Sequence, residues 1–174
     1  RPFNTYGPRQ SNRAVIPQII TQIANKQNII KLGSLYPTRD FNYVKDTCSA
    51  FIEVAKSPNT IGEVINSASN FEISIERTAN LISELMNFPI TIQSENERKR
   101  PDKSEVNRLF GCNKKIINLT KWQPKYQGLE GFKKGLMFSS LPVERLSNTT
   151  IFFSSLTNFS TIWLPIKPAP PVII

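Results

Sequence analysis

The residues best suited to chemistry lie together in Arg39-Asp40-Phe41-Asn42-Tyr43-Val44-Lys45-Asp46. A guanidinium opens the run, Phe41, Tyr43 and Val44 alternate with polar residues, and a carboxylate closes it. The alternation predicts a strand, and Asp46 is placed to cap a helix over residues 47–56 by accepting the open amide bonds of its first turn. Arg39 then sits at a strand edge, where it either forms a surface ion pair with Asp40 or Asp46 or meets an anionic ligand. A second group of cations, Arg98, Lys99, Arg100 and Lys103, falls in a charged stretch read as a loop over residues 96–105.

The formal charge of +9 points the same way, to nucleic acid, anionic lipid or a phosphorylated small molecule. Asn, Ile, Lys and Ser abound, as in A/T-biased coding sequences, so part of that charge needs no partner. Aromatic and basic residues do not interleave, which argues against nucleic acid. With two cysteines far apart, Cys48 and Cys112, and no histidine, neither a zinc site nor a disulfide framework is expected. No apolar run approaches the roughly 18 residues that span a bilayer and no signal segment is visible, so no membrane is expected and the default compartment is cytoplasmic.

Length sets the frame: 174 residues suffice for one core. Arg1-Pro2-Phe3-Asn4 reads as the end of a strand, which predicts a fragment whose N-terminal portion is absent. Apolar residues at Val15, Ile16, Ile19, Ile20 and Ile23 predict a helix over residues 15–24, with Pro17 tolerated in its first turn. Short strands are expected over residues 28–32, 62–67 and 89–93, and a turn through Pro37 leads into the Arg39 strand. Ser74 is placed to cap a helix over 75–86, and Asn113 one that ends at Leu119. Trp122, Pro124 and Tyr126 pack a turn before a last helix, 129–138. Alternating short strands and helices make this an α/β chain. Between Pro142 and Ile174 only Glu144, Arg145 and Lys167 are charged, and neither period is clean, so 1–138 is read as the folded part and 139–174 as a poorly ordered Ser/Thr/Pro-rich tail.

Several motifs recur in one order: Arg1-Pro-Phe-Asn-Thr-Tyr-Gly-Pro-Arg-Gln10, Arg13-Ala-Val-Ile-Pro17, the Arg39–Asp46 run, Gly62-Glu-Val-Ile-Asn66, Arg100-Pro-Asp-Lys-Ser-Glu-Val106 and Trp122-Gln-Pro124. With them the chain resembles the extended short-chain dehydrogenases/reductases, and more closely the nucleotide-sugar 4,6-dehydratases of nonulosonic (legionaminic-type) acid pathways; 4-epimerases share the same lobe. The resemblance implies the last strands of a Rossmann-type sheet plus the small substrate-binding lobe, with the NAD-binding half absent. It implies that Asn4 and the turn to Arg9 lie beside a UDP- or GDP-sugar diphosphate, with Arg39 and Arg100 on the phosphates. Val15 and Leu32 would flank the base, and Asn66 would hydrogen-bond the nucleoside. A guanidinium offers the planar fork of donors that phosphate oxygens suit.

NAD belongs, on this resemblance, to the complete enzyme, as does a homodimer. Its cradle is a glycine-rich turn opening a helix, and its base is a Tyr-x-x-x-Lys phenol. Neither is here: four places after the tyrosines stand Gln10, Asp40, Thr47 and Glu130. Gly128, Gly131 and Gly135 have the wrong spacing for a dinucleotide loop and should only weaken their helix.

Overall fold

Short aromatic and β-branched runs build the sheet, and one-faced apolar helices cover it. The computed structural model describes residues 1–95 and 106–146. Its elements in chain order are β1 (Asn4–Tyr6), α1 (Val15–Ala24), β2 (Ile29–Leu32), β3 (Thr38–Tyr43), α2 (Val44–Lys56), β4 (Glu72–Ser74), α3 (Ile75–Leu85), β5 (Thr91–Ser94), β6 (Arg108–Leu109), α4 (Lys114–Leu119) and α5 (Gly128–Leu146).

β3 is the hub. Its C-terminal half pairs in parallel with β1, Asn4 opposite Phe41, and its N-terminal half pairs with antiparallel β4 and parallel β6. β2 and β5 form a separate parallel pair. Side chains alternate along a strand, so Tyr6, Phe41 and Tyr43 leave one face and Thr5, Asp40 and Asn42 the other. The first set joins Ile16, Ile19, Ile20 and Ile23 of α1, Leu81 and Ile82 of α3, and Phe132 and Leu136 of α5 in the main core. A smaller core lies around Ala50 of α2, with Ile65, Ile116 and Trp122.

The helix over 15–24 forms as expected, and Ser74 caps α3 by accepting the Arg77 N–H at 3.1 Å. Asp46 does not cap. α2 begins at Val44, and the Asp46 carboxylate is drawn inward to accept the Tyr126 N–H at 2.8 Å. Nor does the Asn113 side chain cap α4; it donates to the Ala68 carbonyl at 3.1 Å. Residues 62–67 form no strand, only a single parallel bridge between Pro2 and Ser67. α5 runs to Leu146, past the Phe138 end expected for it and into the stretch read as tail.

Two glycines that looked like helix weakeners, Gly131 and Gly135, are contact points instead. Gly128 has φ +68°, a left-handed conformation that glycine adopts at little cost. A Cβ on Gly131 would collide with the Tyr126 backbone, and one on Gly135 with the Tyr6 hydroxyl. Gly135 lets α5 approach the sheet, and Gly131 lets it approach the turn before it.

Candidate functional site

Arg39 is the second residue of β3, where three strands meet, and backbone carbonyls hold its guanidinium. Nη1 donates to the Thr38 carbonyl at 2.8 Å and to the Val106 carbonyl at 2.6 Å. Val106 borders the 96–105 segment, which includes Arg100, so Arg39 is tied to the residue that flanks it. Arg100 itself lies outside the described residues. Neither aspartate expected as an ion-pair partner is occupied by Arg39. Asp46 is turned toward Tyr126, and Asp40 is fully buried on the opposite face.

Asp40 fixes the frame around Arg39. Its carboxylate accepts the Ser69 N–H at 2.9 Å, the Ser69 hydroxyl at 2.7 Å, the Asn70 N–H at 3.0 Å and the Gly111 N–H at 3.2 Å. One side chain thereby ties β3 to the turn before β4 and to the segment after β6. Burial pushes its carboxyl above the ordinary range, against the lowering pull of those hydrogen bonds. On the neighbouring edge Arg108 and Thr38 both bond to Glu72, and these bonds hold its carboxyl below the ordinary range.

Asn4 shares the Arg39 face. It lies opposite Phe41, two residues along β3 from Arg39, so the two Cα atoms are about 8 Å apart by strand geometry. Its Nδ2 is buried and has no hydrogen-bond partner among the described residues. Native interiors seldom leave such a donor unpaired, and one that is left marks where a ligand or a further chain segment completes the bond. Gln10 Oε1 and Asn42 Oδ1 are likewise unpaired and flank β1, while Gln10 Nε2 holds the Thr5 carbonyl at 2.8 Å.

The other expected site residues divide. Arg9 is exposed in the turn after β1 with φ +67°, a strained conformation for a non-glycine residue. Val15 is half-buried at the start of α1. Leu32 is a correction: at 1% exposure it is a core residue, because β2 alternates and turns Ile30 and Leu32 inward, so no base can lie against it in this arrangement. Asn66 is half-buried beside the Pro2–Ser67 bridge, away from Arg39 in the sheet register, and makes no hydrogen bond among the described residues. Sequence reading passed over Tyr36, which is 67% exposed on the turn before Arg39.

Among the described residues the three buried or half-buried tyrosines are not primed as bases. Burial raises the Tyr6 phenol far beyond its usual value, pushes Tyr43 up to about 12 and raises Tyr126. A catalytic phenol needs the opposite shift. Gly131 and Gly135 of α5 are committed to packing, so these two glycines are not available to line a dinucleotide turn. Among the described residues no acidic, histidine or cysteine group could hold a metal ion. Nor is any helix among them long and apolar enough to cross a membrane. A recess of about 140 Å³ lined by Arg1, Phe51, Glu63, Ile65 and Ser67 lies on the α2 side and includes none of the expected site residues.

Comparison with known proteins places these features. The family model for GDP-mannose 4,6 dehydratase matches residues 1–135. Human dTDP-D-glucose 4,6-dehydratase is 31% identical over 139 residues, which cover 77% of this chain and 39% of that protein. The structure of the UDP-N-acetylglucosamine 4-epimerase of Methanobrevibacter ruminantium, in complex with UDP-N-acetylmuramic acid, superposes with a TM-score of 0.69 at 25% identity, covering 84% of this chain and 46% of that one. The fold is also that of the Bacillus cereus UDP-glucuronic acid 4-epimerase bound to UDP-glucuronic acid and NAD (TM-score 0.73, 22% identity, covering 84% and 45%). The chain thus spans less than half the length of each of these relatives.

Proposed function

Because the chain belongs to the GDP-mannose 4,6-dehydratase family of extended short-chain dehydrogenases/reductases, we propose that it is the nucleotide-sugar-binding part of an NAD-dependent 4,6-dehydratase. The substrate proposed is a UDP- or GDP-linked N-acetylhexosamine. The observation that carries this is the buried, unpaired amide donor of Asn4 on the same sheet face as the anchored Arg39 guanidinium. An amide donor and a cation on one face suit a diphosphate ester: the guanidinium takes the charge and the amide a neighbouring oxygen. Arg9, strained in the turn beyond Asn4, and Arg100, on the segment bordering Val106, are proposed to complete the phosphate contacts. Val15 and Asn66 are assigned to the nucleoside end.

Binding is all this chain does in the proposal. The redox chemistry requires NAD and a base that these residues do not supply, so activity requires a polypeptide carrying the NAD-binding half, in the cytoplasm where nucleotide sugars are found. A 4-epimerase is the second reading, favoured by the similarity to the Methanobrevibacter enzyme; joining the chain to an NAD-binding half and identifying the product separates the two.

Isothermal titration of UDP-N-acetylglucosamine and GDP-mannose into the purified chain tests the binding role. Saturable binding is expected, with Arg39→Ala weakening it by about tenfold or more, since a charge-assisted bond contributes roughly 1.5–3 kcal/mol. Undiminished binding in Arg39→Ala would remove Arg39 from the site.

A further inference from the structure

We propose that Asp40 is a positioning residue that sets the spacing of Arg39 and Asn4. The proposal rests on the nucleotide-sugar reading and adds to it a residue that touches no ligand. Arg39 and Asp40 are neighbours on β3 and leave opposite faces of the strand, so Asp40 acts only through the backbone it holds. That backbone belongs to the strands on either side of Arg39. Arg39 lies opposite Ile73 of β4 and Leu109 of β6, strands of three and two residues with few ladder bonds of their own. The Asp40 carboxylate takes hold of the chain beyond each, at Ser69 and Asn70 before β4 and at Gly111 after β6.

Residues 106–111 are gripped by three consecutive residues of β3. The Thr38 N–H donates to the Asn107 carbonyl at 2.9 Å, Arg39 donates to the Val106 carbonyl at 2.6 Å, and Asp40 accepts the Gly111 N–H at 3.2 Å. Gly111 has no room for a Cβ against Ala68 and the Phe3 ring, so the far end of this segment lies on the residue before Asn4. One end of the segment thus anchors the guanidinium and the other abuts the strand of Asn4. A shift of Gly111 alters the distance between the two groups that a diphosphate would meet. The chemistry at position 40 is specific to a carboxylate. One oxygen accepts the Ser69 N–H and hydroxyl, and the other accepts the Asn70 and Gly111 N–H groups. Asparagine is nearly isosteric, but its NH2 would face two donors and one pair of bonds would be lost.

The test titrates UDP and inorganic pyrophosphate into wild type, Asp40→Asn, Arg39→Ala, the double variant and Ser69→Ala, with circular dichroism confirming that each is folded. Asp40→Asn is expected to weaken both ligands by about five- to tenfold. In the Arg39→Ala background the same change should weaken them by about twofold or less, because a positioning residue acts through the group it positions. A merely structural aspartate would lower the unfolding midpoint and leave the affinity of the folded chain unchanged. That result overturns the proposal, while a loss in Arg39→Ala keeps the phosphate site. Full additivity in the double variant overturns the proposal as well. If Asp40→Asn does not fold, Ser69→Ala decides, since it removes one bond of the four. Weakening by about two- to threefold then supports the positioning role, and wild-type affinity overturns it. Failure of the folded wild type to bind either ligand overturns the nucleotide-sugar reading, and the positioning role with it.

Discussion

Gly135→Ala sets two effects of known size against each other. Alanine in a helix interior is favoured over glycine by about 1 kcal/mol, so on propensity alone α5 should gain. The structure opposes this. A Cβ at position 135 would collide with the Tyr6 hydroxyl and lie 2.8 Å from Tyr6 Cζ and 3.1 Å from Tyr43 Cδ2. Tyr6 cannot easily retreat: it is 1% exposed, with its ring centroid 5.2 Å from Phe132 and 5.4 Å from Tyr43. Overpacking of this kind costs roughly 1–3 kcal/mol. Displacing the ring also threatens the bond from Tyr6 Oη to the Phe132 carbonyl at 3.3 Å, a contribution of about 1 kcal/mol. The clash wins, for a net destabilisation of roughly 1–3 kcal/mol. Urea unfolding followed by circular dichroism measures it. Tyr6→Phe removes the nearest colliding atom, so Gly135→Ala should cost less in a Tyr6→Phe background, by about 1 kcal/mol of coupling. A stabilised Gly135→Ala protein, or strictly additive single changes, would refute the claim that this glycine exists to admit Tyr6.

Two further outcomes follow from the buried aspartates. Asp40→Ala strands the buried Ser69 and Gly111 amides and should lower stability by about 2 kcal/mol or more, at roughly 1–3 kcal/mol per unsatisfied donor; a change under about 1 kcal/mol in the same urea assay would show that the turn holds itself. Asp46 is 2% exposed and burial raises its carboxyl above the ordinary 3.8, despite the Tyr126 and Lys125 amides that lower it. A raised folded value means the folded state holds the proton more tightly than the unfolded chain. The stability this confers is complete below pH 3.8 and is lost as pH rises through the folded value. Asp46→Asn removes that dependence, so its stability relative to wild type should improve from pH 3.5 toward neutrality; the opposite trend would mean the Asp46 charge is stabilised in the fold.

Local periodicity made α1 and α3 legible, with the Ser74 cap, because one apolar face and one hydroxyl suffice to define them. β4 and β6 are too short to carry any alternation and exist because β3 offers them an edge. Asp46 has the residue type of a cap, but a tertiary bond to Tyr126 outweighs the local one. Leu32 illustrates the reverse limit: resemblance suggested a base-flanking role, whereas strand alternation, visible in Ile30 and Leu32 themselves, already argued for the core. The strand that carries Arg39 was legible from its alternation. The unpaired Asn4 donor was not, since an orphan is a property of everything around it.

The measurement that tests the account most directly is a ¹⁵N-resolved NMR titration of the chain with UDP-N-acetylglucosamine and GDP-mannose. It reads the Asn4 side-chain amide and the Arg39 guanidinium individually. The account predicts saturable shifts at Asn4 Nδ2 and Arg39, spreading to Val106 and sparing the outer face of α2. Unmoved Asn4 and Arg39 signals in a folded chain, or shifts confined to the recess beside Phe51 and Ile65, would contradict it.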